Sequence, residues 1–280
     1  ENGELRIGDL EFAIIEAKKR DVKVVIAMGA KVPYYPEYHL PENIKSQLKF
    51  GDTIGVSHAI ADDLLEIDRK LVEKLAVYDN ISHWQVENEP FLANVNNWKI
   101  TPELVGREVE IVRSADPIKR PVILSHVGPA VFDRKWKKLE PFLKDGDILG
   151  VNAYFKTQGI NLFSLSLFGK VLAVGWPQSL VWPVQSWYGF SPNYTSLKNE
   201  LTEKGIGLWI MEMQAEPYIR TFEDAKKSKY FYKPEDIIKA DEYLRSSRIE
   251  NLGLWGAPFC LYREKIDDDS WLNAVKVLVN

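Results

Sequence analysis

The chain has 280 residues, 45% hydrophobic and 27% charged, enough to bury a sizeable core in one large domain or two small ones. Its 36 basic and 40 acidic residues leave a net charge of -4, which provides no field to draw in a polyanion, so nucleic acid is not an expected partner. The single cysteine, Cys260, excludes an intramolecular disulfide, no Cys/His spacing resembles a zinc site, and His39, His58 and His83 are too dispersed to suggest a metal.

Residues 8–20 place Leu10, Ile14 and Ala17 on one helical face and run directly into the β-branched stretch Val22 to Met28, so a helix feeds a buried strand. The same alternation predicts a helix near 60–78 before a strand at 82–87, and a helix near 102–114 before a strand at 121–127. It continues with a helix at 132–144 before a strand at 147–152, one at 194–203 before 207–212 and one at 235–247 before 252–256, and a helix at 270–279 closes the chain. Six strands, each preceded by a helix, are the pattern of an α/β fold with a parallel sheet. No Gly-x-Gly-x-x-Gly follows a strand and there is no Walker loop, which weakens the nucleotide-binding open sheets. The segments after the strands are long and rich in polar and aromatic residues, whereas those before them are short. That asymmetry favours a (β/α)8 TIM barrel, whose site lies at the carboxyl ends of the strands.

One region departs from the average composition. From Thr157 to Leu197 the only charged residue is Lys170, where the chain's 27% would place about eleven. The segment is read as an insertion in a single catalytic domain, built as a loop and short helix packed on the barrel rim. Its Phe163, Phe168, Trp176, Trp182, Trp187, Tyr188 and Phe190 suggest two sharper readings, an aromatic wall of a substrate cleft or a surface for lipid or a protein partner.

Chemistry concentrates at two strand ends. The strand at 82–87 runs into Val86-Glu87-Asn88-Glu89-Pro90, and Leu208-Trp209-Ile210-Met211 into Glu212, followed by Met213-Gln214-Ala215-Glu216-Pro217. Two carboxylates arriving from separate strands suit glycoside cleavage, one as nucleophile and the other as the acid that protonates the leaving oxygen. Glu216 competes with Glu212, because Glu216-Pro217 echoes Glu89-Pro90; Glu212 lies closer to its strand end. Glu87 is read as holding the cleft or pairing with a cation. Trp84 is core or cleft wall, His126 a sugar contact or a structural histidine, and Gln214 a sugar contact or a loop-positioning amide.

With these residues the chain resembles a clan A glycoside hydrolase, the superfamily of retaining TIM-barrel glycosidases, whose motif is Asn-Glu-Pro after the fourth strand and a glutamate after the seventh. Asn88-Glu89-Pro90 and Glu212 match that motif in type, order and position. Tyr154 in Gly150-Val151-Asn152-Ala153-Tyr154 and Trp255 in Leu252-Gly253-Leu254-Trp255-Gly256 are similar to the family's tyrosine beside the nucleophile and its tryptophan sugar platform. The segment from Gly29 to Pro41, with Tyr35, is similar to its loop after the third strand. The resemblance implies a retaining hydrolase of a β-linked glycan or glycoside that needs no cofactor. Glu89 is then the acid/base, Glu212 the nucleophile and Asn88 the contact to the sugar 2-hydroxyl, with Tyr154, Trp255, His126, Gln214 and Tyr35 also at the substrate. A carbohydrate-binding protein or scaffold without turnover, and a transglycosylase, are the alternative readings. Matched to the family, the six strands are the third to eighth, so the first two are expected in a further N-terminal segment of roughly 50 to 80 residues.

Overall fold

Helices and strands form where the two periodicities alternate. The computed structural model describes residues 5–33, 37–93, 96–127, 134–158, 161–167, 170–175, 181–183, 193–217, 219, 221–227 and 229–279. Six strands, β1 (Val24–Met28), β2 (Ile81–Val86), β3 (Val122–His126), β4 (Ile148–Ala153), β5 (Gly207–Gln214) and β6 (Leu252–Trp255), are hydrogen-bonded in the order in which the chain supplies them. The pairs β1/β2, β2/β3 and β5/β6 are parallel. With helices between strands this is the α/β pattern of a TIM barrel, represented by six of its strands.

The helices carry the expected end signals. α1 (Gly8–Lys18) has Asp9 and Glu11 in its first turn and Lys18 in its last, which suits the helix dipole. α2 (Ala61–Leu75) buries Ala61, Leu64, Asp68, Val72 and Leu75 as one stripe. α3 (Pro102–Ala115) starts with Pro102, and the Thr101 side chain accepts from the Leu104 amide, capping an end that would otherwise be unsatisfied.

Three expectations need correction. Instead of one helix over 132–144, the described residues form two short 3-10 turns, Arg134–Lys138 and Glu140–Phe142, because Pro141 has no N–H to continue a helix. An additional helix, Ala257–Lys265, follows Gly256. The described residues of the insertion before Asn193 form strands, which the expectation of a loop and short helix did not include. Val181–Pro183 pairs antiparallel with Lys156–Gln158, and Asn161–Leu167 with Lys170–Gly175. The alternation Phe163, Leu165, Leu167 against Ser164, Ser166 is the period-2 signal of such a ribbon. The aromatic side chains of the insertion, and the wall or docking roles assigned to them, lie outside the described residues.

The chain divides into two compact units, residues 1–150 with 198–208, and residues 151–197 with 209–280. In the first, Val24 of β1 lies opposite Ile81 of β2, the register shifts by one residue after it, and from Val25 opposite His83 the pairing runs to Met28 opposite Val86; Trp84 of β2 lies opposite Val122 of β3. Ile26, Met28, Trp84, Val86, Leu104, Val109 and Ile123 form its core. Trp84 is fully buried and belongs to this core. Its indole Nε1 donates to Asp116 Oδ2 at 3.0 Å, at the amino ends of the strands. Arg120 completes the same network. Its guanidinium donates to Asp116 Oδ1 at 2.8 Å and to the carbonyls of Ile81, Ala76 and Tyr78 at 2.9, 3.0 and 2.8 Å. Asp147 links the next turn by accepting from the Val122 and Lys144 amides, each at 2.8 Å.

In the second unit β5 and β6 pair from Ile210 opposite Leu252 to Gln214 opposite Trp255. Tyr230, Phe259 and Trp271 pack edge to face with ring centroids 4.8–5.7 Å apart. This cluster seats the two C-terminal helices, Ala257–Lys265 and Ser270–Val279.

Candidate active site

In the first unit the carboxyl end of β2 is a turn of unusual backbone. Glu87 and Glu89 adopt φ values of 58° and 47°, the left-handed region that bulky L-residues avoid. Hydrogen bonds from both neighbouring strands hold the turn there. Glu87 N–H donates to the Met28 carbonyl at 2.8 Å and Asn88 N–H to the Lys31 carbonyl at 2.7 Å. Glu89 N–H donates to Ser125 Oγ at 3.0 Å, and that hydroxyl in turn donates to Asn88 Oδ1 at 3.2 Å. Gln85 Nε2 also donates to Asn88 Oδ1 at 3.2 Å, so the amide of Asn88 is oriented from two sides. Asn88 and Glu89 are 2% and 7% exposed, and both occupy the expected strand end.

His126 ends β3 and is buried, with Nδ1 2.6 Å from the Val127 carbonyl. A carbonyl only accepts, so Nδ1 is the donor in this contact.

The carboxyl end of β5, in the second unit, carries Glu212. The residue is 8% exposed, and Tyr154 O–H donates to its Oε2 at 2.6 Å from just beyond β4. This is a short bond of the kind that orients a carboxyl group. Gln214 is fully buried. Its Oε1 accepts from the Phe155 and Lys156 amides, each at 3.1 Å, and its Nε2 donates to the Glu216 carbonyl at 3.1 Å. These bonds tie the Tyr154 turn to β5. Tyr232 O–H donates to the Gln214 carbonyl at 2.7 Å, and Lys156 pairs with Asp236 at 2.7 Å.

Glu216 lies beyond Gln214 and is engaged by Trp255. Burial pushes its carboxyl above the ordinary range, opposed by the Ile219 amide and the Trp255 side chain. Trp255 is half-buried at the end of β6, and its carbonyl accepts from Ala215 N–H at 2.8 Å. Gly256 follows at φ 127°, and a Cβ there would come within 2.8 Å of Glu216 Cβ. Tyr35 lies outside the described residues.

Sequence reasoning missed several buried charges around the first turn. Lys31, Asp68 and Glu108 are 0%, 2% and 0% exposed. Glu87 joins them, also at 0%, its Oε1 accepting from Ala30 N–H at 2.7 Å and its Oε2 from Lys31 N–H at 2.8 Å. The available signal was a carboxylate inside an apolar helical stripe, Asp68 among Leu64, Val72 and Leu75 and Glu108 among Leu104, Val105 and Val112.

No family model matches the sequence, and no curated protein does. Among solved structures the chain is similar to a β-galactosidase from the psychrophilic Marinomonas ef1, with a TM-score of 0.55 and 11% identity over 92% of this chain and 48% of that one. A family 1 β-glucosidase from Thermotoga maritima has a TM-score of 0.49 and 13% identity over 90% of this chain and 69% of that one. A β-glucuronidase from Ruminococcus gnavus has a TM-score of 0.40 and 10% identity over 71% of this chain. The chain spans 48% of the galactosidase and 30% of the glucuronidase. The likeness to the galactosidase is one of fold alone, the α/β barrel type.

Proposed function

We propose that the protein is a retaining glycoside hydrolase acting on a β-linked glycan or glycoside, with Glu212 as nucleophile and Glu89 as acid/base. The observation that carries this reading is the 2.6 Å bond from Tyr154 O–H to Glu212 Oε2 at the end of β5. A carboxyl group held in this way is aimed, as attack on an anomeric carbon requires. Glu89 supports the reading from the other strand end, in a turn whose strained backbone is fixed by Met28, Lys31 and Ser125.

In the first step Glu212 attacks the anomeric carbon and the glycosidic C–O bond breaks as Glu89 gives its proton to the leaving oxygen. A glycosyl ester on Glu212 remains. Water then attacks the same carbon, Glu89 takes up the water proton, and the C–O bond to Glu212 breaks to restore both carboxyl groups. In this reading Asn88 is assigned to the sugar 2-hydroxyl and Trp255 to a stacking platform.

The test is a screen of aryl β-glycosides followed by proton NMR of the first product anomer formed. Cleavage with the β-anomer appearing first is expected, with Glu89→Gln and Glu212→Gln both strongly impaired. Absence of cleavage across the panel removes the reading in favour of a carbohydrate-binding protein, and activity that survives both changes removes the roles given to Glu89 and Glu212. An added sugar acceptor that captures most of the glycosyl group identifies a transglycosylase.

A further inference from the structure

Beneath the turn that carries Glu89 lies a buried group of ionisable side chains for which the proposed reaction has no use. Asp68 from α2, Glu108 from α3, Glu87 from the end of β2, and Lys31 meet in the interior of the first unit. Among the described residues no group of three or more His, Cys, Asp or Glu side chains is arranged to hold a metal ion. The Lys31 charge acts on Glu87 within this group. Both Glu108 oxygens are enclosed with no hydrogen-bond donor, and Glu108 faces Glu87, so a proton on Glu108 removes the repulsion and supplies a donor to Glu87.

From Glu87 the contacts lead to the Glu89 backbone. The Glu87 carboxylate accepts from the Ala30 and Lys31 amides, which fixes the path of residues 29–31 after β1. Gly29 permits this approach, since a Cβ there would lie 2.5 Å from Glu87 Oε1. The Lys31 ammonium then donates to the Glu89 carbonyl at 2.9 Å and the Leu92 carbonyl at 3.2 Å, and pairs with Glu37 at 3.3 Å. Both flanks of the left-handed Glu89 residue are thus tied to Lys31 or to Ser125.

We infer that Glu87, acting through the Ala30–Lys31 backbone and the Lys31 ammonium, is the positioning residue that holds Glu89 in its working geometry. The inference rests on Glu89 being the acid/base. Electrostatics agree with it. Burial pushes the Glu87 carboxyl up to about 7, against the Glu108 hydrogen bond, the Ala30 and Lys31 amides and the Lys31 charge. Asp68 and Glu108 are pushed well up by burial first and by Glu87 next. Tyr38, whose phenol is buried beside Glu87, Glu37 and Glu108, completes the surroundings. Above about 7 Glu87 carries the charge that the amides and Lys31 receive.

The experiment compares Glu87→Gln with Glu89→Gln on phenyl and dinitrophenyl β-glycosides of one sugar that the wild-type protein cleaves. A dinitrophenolate leaves without a proton, whereas phenolate needs one, so loss of a well-placed acid lowers kcat/KM selectively on the phenyl substrate. Glu87→Gln is expected to lower kcat/KM about 10- to 100-fold on the phenyl glycoside and only a few-fold on the dinitrophenyl one, in the same sense as Glu89→Gln. Lys31→Met keeps the aliphatic stem and is expected to show the same selectivity, which preserves the test if Glu87→Gln does not fold. Equal losses on both substrates indicate general loosening and overturn the inference, as does full activity on both. If Glu89→Gln itself shows no selectivity, the role of Glu89 is wrong and the positioning role fails with it.

Discussion

The Glu212 carboxyl and the phenol that orients it are 58 residues apart in the chain and meet at 2.6 Å. Replacing Tyr154 by Phe keeps the ring and removes the bond. A hydrogen bond to a charged group contributes about 1.5–3 kcal/mol, so Tyr154→Phe is expected to lower kcat/KM on an aryl β-glycoside roughly 10- to 100-fold. Unchanged kinetics in a folded variant would separate Tyr154 from the proposed chemistry. The strand ends that carry Glu89 and Glu212 were legible because carboxylates beside an apolar strand stand out in the sequence, whereas Tyr154 was singled out only by the family resemblance. Lys31, Asp68 and Glu108 were not legible, since a charge within a helix or loop normally reads as solvated. Burial of a charge depends on which elements close over it, and the sequence of one element does not contain that information.

At the scale of elements, junctions are where the chain is least forgiving. Gly256 joins β6 to the helix Ala257–Lys265 at φ 127°, with Glu216 Cβ and the Ala215 carbonyl carbon 2.8 and 3.1 Å from where a Cβ would stand. Gly256→Ala is expected to lower unfolding stability by about 1–3 kcal/mol in urea titrations. Gly8, with open space around it in the first turn of α1, is the control, and Gly8→Ala should stabilise by about 0.4–1 kcal/mol. Comparable midpoints for both variants would contradict this account. The main strands and most helices followed from periodicity, because a parallel sheet demands continuous apolar strands and its covering helices a single apolar face. Helix Ala257–Lys265 escaped notice. It buries Phe259, Cys260 and Arg263 together, so a charged residue sits on the inner face and blurs the stripe. The ribbon Asn161–Leu167 with Lys170–Gly175 was hidden for a different reason. The missing charges of the insertion dominate its composition and mask the alternation of Leu and Ser, which is itself a strand signal.

For the molecule as a whole, buried carboxyl groups make stability depend on pH. Burial and the neighbouring Glu87 and Asp68 raise the Glu108 carboxyl well above its ordinary value of 4.5. The folded state therefore holds this proton more tightly than the unfolded state. Stability falls as pH rises above about 4.5, and continues to fall until folded Glu108 itself ionises. Glu108→Gln carries a neutral amide of the same shape and escapes this loss. Its stability advantage over the wild-type protein should be small near pH 4 and grow by about 1.4 kcal/mol for each pH unit within that window. Parallel stability curves from pH 4 to 8 would show that Glu108 is ionised in the folded protein.

The tie formed by Trp84, Asp116 and Arg120 lies at the amino ends of the strands, while Glu87, Asn88 and Glu89 stand at a carboxyl end. Mending and tinkering are therefore kept apart within the first unit. A new turn after β2 or β3 can be tried without disturbing the guanidinium that binds the backbone at Ala76, Tyr78 and Ile81. A lineage, or a library of grafted loops, can search for new substrates from an anchored frame, and most unsuccessful trials will cost activity while sparing the fold.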